Sequence, residues 1–314
     1  MTASPSAAQF PRESDSSGAF VRQQSRFREW VTADGSSGYP AAPGRYHLYV
    51  SLACPWASRT LIWRQLKGLR DVIGVTVVDP VRDEEGWRFT EEEPDPVNGF
   101  RYLSEAYTRS DPEFDGRVTV PVLWDKETGR IVNNESAEIV RMLNSAWDEW
   151  GDKTVDLYPE ALRDEIDAIN ERVYETVNNG VYRAGFATTQ RAYERAFDAL
   201  FATLDWLDER LSTRRFLLGE QITEADWRLF VTLVRFDAVY VGHFKCNLRR
   251  IDDYAHLSGY LRNLYQQPGI AATVDFDHIK RHYYMTHPQL NPTRIVPKGP
   301  ELDLDRPHGR DRIR

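Results

Sequence analysis

Cysteine is almost missing from this chain: 314 residues contain two, Cys54 and Cys246. A secreted disulfide scaffold needs more, so the expectation is free thiols in a cytoplasmic protein. A basic surplus is missing as well. Forty Lys and Arg stand against 48 Asp and Glu, for a net charge of -8, which argues against a general nucleic-acid binder. No run of about 18 apolar residues occurs, so no membrane span is expected. The opening "MTASPSAAQFPRESDSSG" has no charged start followed by an apolar core. It does not read as a secretory signal but as a mobile arm.

With 41% hydrophobic residues, the chain can build two modest domains. Residues 46–51 ("YHLYVS") alternate like a strand. From Pro55 the period becomes helical, with Trp56, Leu61, Ile62 and Leu66, until Gly68. Residues 72–78 read as a second buried strand, followed by an acidic, proline-rich loop over 79–116 that contains Trp87. "RVTVPVLWD" (117–125) reads as a strand interrupted by Pro121, and "GRIV" (129–132) as its hairpin partner. A helix opens at Glu135-Ser136. This order predicts an α/β unit on a small mixed sheet. Residues 148–160 read as a linker, and nearly everything beyond is helical. Tyr193, Phe197, Leu200, Leu204, Leu207 and Leu211 mark one helical face. Thr223 and Asp226 form a predicted capping box, flanked by Ile222 and Trp227 as a hydrophobic staple.

Three short stretches carry chemistry. Cys54-Pro55 ends a strand and opens a helix, like a thioredoxin-type redox site whose second cysteine is replaced by Ala57. Free N–H groups and the helix dipole favour an anion there, and a thiolate is the nucleophile toward sulfur. The plain alternative is a buried structural cysteine. Val120-Pro121 predicts either a cis bond or an edge-strand proline. The first would leave the Val120 backbone free to bond an extended peptide. Glu135-Ser136 can hold an ammonium and a carboxylate at a helix start, although Ser136 as an ordinary N-cap explains the pair equally well. His278 and His282 are spaced for one helical face. Only Asp275 and Asp277 lie near as further ligands, so no metal is expected. Cys246 beside Lys245 reads as a half-buried bystander.

The stretches "SLACPWASRT", "GRVTVPVLWD", "NNESAEIVRML", "VNNGVYRAGFATTQ", "RFDAVYVGHFKCN", "FDHIKRHYY" and "PHGRD" together resemble the glutathionyl-hydroquinone reductases, the Xi class of glutathione transferases. The likeness runs from about residue 46 to the C-terminus. It departs at Ser58, where the family more often has His. The resemblance implies a thioredoxin-like α/β N-terminal domain and an all-α glutathione-transferase C-terminal domain. The expected boundaries are an arm at 1–45, a thiol-binding domain at 46–147, a linker at 148–160 and a helical substrate domain at 161–314.

The resemblance further implies that glutathione, or another low-molecular-weight thiol, is the co-substrate. Cys54 would attack the sulfur of a glutathionyl-hydroquinone, and free glutathione would then release the mixed disulfide. Trp87 would stack over glutathione. Arg117 and Val120 would hold its peptide, and Glu135 and Ser136 its γ-glutamyl end. Tyr182, Tyr240 and Tyr283 would hold the hydroquinone hydroxyls and supply a proton. A homodimer is expected. Two other readings stand beside this one: an omega-like cysteine transferase acting on dehydroascorbate or small disulfides, and a non-catalytic binding module with the same fold.

Overall fold

The computed structural model describes residues 13–313, and its chain falls into two units. The first comprises Gln23–Asp156 and Thr273–Thr286; the second comprises 13–22, Leu157–Ala272 and 287–313.

In the first unit, strands β1 (Tyr46–Val50), β2 (Gly74–Val77), β3 (Val122–Asp125) and β4 (Arg130–Asn133) form one sheet in the order β2-β1-β3-β4. β1 and β2 run parallel, while β1–β3 and β3–β4 are antiparallel. A parallel pair needs a crossover, and helix α1 (Pro55–Leu66) supplies it. Gly68 takes a left-handed conformation just beyond α1, where glycine is favoured. Gly74 is required for another reason: any Cβ there would collide with the ring of buried His47 on the neighbouring strand.

Inside the stretch read as loop lies a helix, α2 (Ser104–Ser110). Only Ala106 and Tyr107 of its seven residues are buried, so it shows almost no apolar period. Helix α3 (Ser136–Ser145) buries Ile139, Val140 and Leu143, as the sequence predicts.

The arm is not loose from residue 13 onward. The Glu29 N–H donates to the Val132 carbonyl and the Asn134 N–H to the Phe27 carbonyl, so residues 27–29 extend the edge at β4. Residues 1–12, where most of the expected mobile arm lies, fall outside the described ones.

The second unit is helical: α4 (Arg163–Val173), α5 (Gly180–Gly185), α6 (Gln190–Arg210), α7 (Glu224–Arg235), α8 (Val241–His243) and α9 (Leu257–Tyr265). On α6 the buried face is Leu200, Leu204 and Leu207, continued by Leu211. The predicted capping box of α7 is formed, with the Asp226 carboxylate accepting the Thr223 N–H at 2.8 Å. Asp226 also accepts the Leu217 N–H at 2.9 Å and the Tyr260 hydroxyl at 2.8 Å. Arg310, from "PHGRD", is buried and donates to the carbonyls of Leu211 and Arg215, just past the end of α6. No described helix is long and apolar enough to cross a membrane.

Helix α10 (Phe276–Thr286) follows the second unit in sequence but belongs to the first. His282 explains why: its buried Nδ1–H donates to the Pro80 carbonyl at 2.7 Å, and its ring stacks on Trp87 at 5.0 Å and 18°. The sequence assigns this helix to the substrate domain because contacts between residues about 200 positions apart leave no local trace.

Candidate active site

Cys54 is the N-cap of α1, with extended backbone (φ -79°, ψ 121°) and Pro55 at the first helical position. Its carbonyl accepts the Ser58 N–H at 3.0 Å, and its own N–H is tied to the Ser51 carbonyl at 3.1 Å. It is a free thiol, half-buried, between the buried residues Ala53 and Pro55. Ala57 is wholly buried, so the place of a second redox cysteine faces the interior.

The Val120–Pro121 bond is cis, which decides between the two sequence alternatives. The Val120 carbonyl accepts from the Cys54 thiol at 3.5 Å. The proline therefore brings one backbone acceptor beside the thiol. Arg117, three residues earlier, is half-buried, and its N–H donates to the Gln23 side chain at 2.9 Å.

At the start of α3 the N-cap is Glu135, not Ser136. One Glu135 carboxylate oxygen accepts the Ala137 N–H at 3.1 Å, and the other accepts the Ser25 hydroxyl at 3.0 Å. Ser136 is the first helical residue and is buried, and its hydroxyl accepts from Arg59 Nη1 at 3.3 Å. Arg59 is 1% exposed and packs its guanidinium over Trp56 at 4.5 Å. Sequence reading does not single out Arg59. Its only signal is a basic residue on the inward face of α1, five residues after the thiol.

Trp87 departs from expectation. A polar loop suggests an exposed ring, yet Trp87 is 5% exposed. The chain folds back there: the Leu103 N–H donates to the Trp87 carbonyl at 2.8 Å and the Phe89 N–H to the Arg101 carbonyl at 2.9 Å. The ring is turned inward against His282 and lies within 5.1 Å of the Arg82 guanidinium. Beside His282 on α10 sits Tyr283, 1% exposed. His282 thus bonds Pro80 and stacks on Trp87, and no group of three or more His, Cys, Asp or Glu placed to hold a metal ion occurs among the described residues.

Tyr182 and Tyr240 belong to the second unit. Their rings meet edge to face with centroids 6.1 Å apart, and Phe244 contacts both. Two π-helical turns set this up. Tyr174–Asn178 leads α4 into α5, and Phe236–Tyr240 ends α7. Such turns add a residue per turn and are frequent at functional sites. The first is pinned by Asn178 Nδ2, which reaches the Arg228 carbonyl at 2.9 Å and the Thr232 hydroxyl at 2.7 Å. Tyr182 is half-buried, whereas Tyr240 is fully buried.

Cys246 lies in the same unit and is fully buried rather than half-buried. Burial pushes its thiol far up, against the weaker opposing pull of Lys245. Lys245 therefore does not activate it, and the two cysteines differ in kind.

Comparison with known proteins agrees with this layout. Residues 53–146 match the family profile of the glutathione S-transferase N-terminal domain, and residues 190–263 that of its C-terminal domain. The glutathionyl-hydroquinone reductase PcpF of Sphingobium chlorophenolicum is 56% identical over 292 residues, 92% of each chain. The glutathionyl-hydroquinone reductase YqjG of Escherichia coli K12 is 54% identical over 304 residues, 94% of this chain and 93% of its own. The glutathione-bound structure of YqjG has a TM-score of 0.89, covering 91% of this chain and 96% of that one. A Xi-class transferase from Natrialba magadii also has a TM-score of 0.89 at 54% identity, over 91% of this chain and 88% of its own. This chain belongs to the glutathione transferases and, within them, to the Xi class, the group of the glutathionyl-hydroquinone reductases.

Proposed function

We propose that the chain reduces S-glutathionyl-hydroquinones to hydroquinones, with glutathione as co-substrate, through a mixed disulfide on Cys54. The observation that carries this reading is a half-buried thiol at the start of α1, with buried Ala57 where a dithiol site would hold its partner. Such a thiol can attack sulfur but cannot resolve the product internally, so a thiol from solution must complete the cycle.

In the first step the Cys54 thiolate attacks the glutathione sulfur of the conjugate. The Cys54–glutathione S–S bond forms as the sulfur–ring bond breaks. That bonding pair passes to the ring carbon, which takes a proton and leaves as hydroquinone. The thiolate of a second glutathione then attacks the mixed disulfide, returning the Cys54 thiolate and glutathione disulfide. The balance is conjugate plus glutathione to hydroquinone plus glutathione disulfide. Both sulfurs are oxidised and the ring carbon is reduced.

The first unit binds the thiol. Val120 and Arg117 hold the peptide, Ser136 and the α3 N-terminus take the γ-glutamyl carboxylate, and Glu135 takes the ammonium group. Trp87, braced by His282, walls the thiol site. The phenols of Tyr182, Tyr240 and Tyr283 hold the hydroquinone hydroxyls, and one returns the proton. The cycle calls for no metal. Another low-molecular-weight thiol would serve wherever it presents the same carboxylate and ammonium. The proposed working form is a homodimer in the cytoplasm, the location in keeping with the scarcity of cysteine.

The test is to mix the protein with a glutathionyl-menadiol conjugate and glutathione, follow hydroquinone release, and read the Cys54 adduct by mass spectrometry. Release together with the adduct supports the cycle. Turnover of dehydroascorbate but not the conjugate would assign an omega-like activity. Absence of any Cys54 adduct would leave a binding module.

A further inference from the structure

Just beyond the stretch expected to be a mobile arm, Arg22 touches one of the proposed hydroquinone phenols. Within the second unit, residues 17–22 are laid along α5 and the start of α6. The Gly18 carbonyl accepts the Thr188 N–H at 3.0 Å, and the Ser17 carbonyl accepts the Thr189 hydroxyl at 2.9 Å. Asp15 closes its own turn by accepting the Ser17 and Ala19 N–H groups. Gly18 takes φ +81°, and a Cβ there would run into the Thr189 side chain. Phe20 is buried against Phe186, centroids 5.5 Å apart.

These contacts deliver Arg22. Its Nε–H donates to Asn179 Oδ1 at 2.9 Å, at the junction between the π turn and α5. Its guanidinium lies 4.9 Å from the centre of the Tyr182 ring. One side chain thus grips both the turn that carries Tyr182 and the face of the ring itself.

We propose that Arg22 is a positioning residue for the Tyr182 phenol, holding a fixed positive charge over the ring so that its O–H donates more strongly to a hydroquinone oxygen. This rests on the role proposed above for Tyr182. A cation over a phenol face is attracted to the ring electrons, and more so as negative charge grows on the phenol oxygen. As the sulfur–ring bond breaks, negative charge accumulates on the hydroquinone, and a stronger donor stabilises it in the transition state more than in the ground state. A simple glutathione mixed disulfide expels a thiolate and places no such demand. The charge therefore tunes one leaving group, and its effect appears in kcat more than in KM.

The test compares Arg22→Met, which keeps the stem and removes the charge, with Arg22→Lys, Tyr182→Phe and the Arg22→Met/Tyr182→Phe double variant. The readout is the ratio of kcat on a glutathionyl-hydroquinone to kcat on the glutathione mixed disulfide of 2-mercaptoethanol. A ratio is independent of the folded fraction. Arg22→Met should lower it by about 10-fold, Arg22→Lys should recover most of that, and Arg22→Met should cost nothing more once Tyr182→Phe is present. An unchanged ratio in Arg22→Met, or losses that multiply in the double variant, would overturn the inference while leaving Tyr182 in place. An unchanged ratio in Tyr182→Phe would remove the underlying assignment, and Arg22 with it.

Discussion

The two units build their sites from different materials. In the first, the candidate residues stand where regular structure begins or ends: Cys54 at the start of α1, Val120 just before β3, Glu135 and Ser136 at the start of α3. There backbone groups lie at the ends of elements, beyond the regular pairing of helix and sheet, and side chains add one thiol and one carboxylate. In the second, Tyr182 and Tyr240 lie within helical segments, held by ring packing and π turns. On the proposed reading the first site works by backbone polarity, the second by the placement of phenols. A local motif can encode the former, whereas the latter depends on partners far away in sequence.

The sharpest way to break this contrast is through the cysteines, one in each unit. Cys54→Ala should lower conjugate reduction by at least about 10³-fold, because nothing else in a covalent cycle supplies the nucleophile. Cys246→Ala should keep turnover within about twofold and lower stability by about 1 kcal/mol, as for a small buried side chain. Activity assays and melting curves on both variants check this. Full activity in Cys54→Ala would end the mechanism.

The next effect falls on stability. Asp226 is buried and accepts from Thr223, Leu217 and Tyr260. Asp226→Ala leaves four buried donors, the Thr223 N–H and hydroxyl, the Leu217 N–H and the Tyr260 hydroxyl, without their acceptor and should cost about 3 kcal/mol by denaturant titration. Turnover per folded molecule should be retained. A loss of turnover with no loss of stability would mean that the capping box serves the chemistry.

These two predictions separate what the sequence makes legible from what it does not. Cys-Pro, Val-Pro, Glu-Ser and the Thr223–Asp226 box are visible because each needs particular residue types within one turn of the chain. The four short β-rich runs are visible as well, but the strand order is not, because β1 pairs with β3 far along the chain. Helix α2 is not visible, since its seven residues bury only two side chains. Burial of Trp87 follows from pairing with residues 101–103, and its stack on His282 spans almost 200 positions. The roles of Tyr182, Tyr240 and Tyr283 enter only through family resemblance, because an aromatic residue in a helix has the same local appearance whether it packs or catalyses.

A smaller effect tests those phenols across the units. Tyr283 belongs to the first and Tyr240 to the second, and both are buried. Tyr→Phe keeps each ring and deletes one hydroxyl. If both hydroxyls serve the hydroquinone, each variant should lose about 10- to 100-fold in conjugate turnover, the equivalent of about 1–3 kcal/mol for a buried hydrogen bond. If one is only a core residue, its variant should shift the melting temperature and leave turnover unchanged. Steady-state kinetics beside thermal melts on the two variants distinguishes these outcomes.

The smallest effect concerns pH, and here the two units should behave alike. In each unit burial lowers the pKa of one histidine. His47 in the first bonds the Thr76 hydroxyl at 2.7 Å, and burial lowers its pKa from 6.5 to about 4. His243 in the second stacks on His287, with Nε2 and Nδ1 3.0 Å apart, and burial, helped by Lys245, lowers it to about 4. Because the folded pKa lies below the unfolded one, the unfolded chain binds more protons between pH 6.5 and 4. Stability therefore falls as pH drops through that window and levels off below it. At pH 5.5 each ring should account for about 1 kcal/mol of lost stability relative to pH 7. Urea titrations at pH 7, 5.5 and 4.5 measure the slope. His47→Gln and His243→Gln should each flatten it by a similar amount, since glutamine carries no titrating proton. A slope that flattens in only one variant would show that folding does not lower the pKa of the other histidine, and that burial governs proton binding in one unit but not in its neighbour.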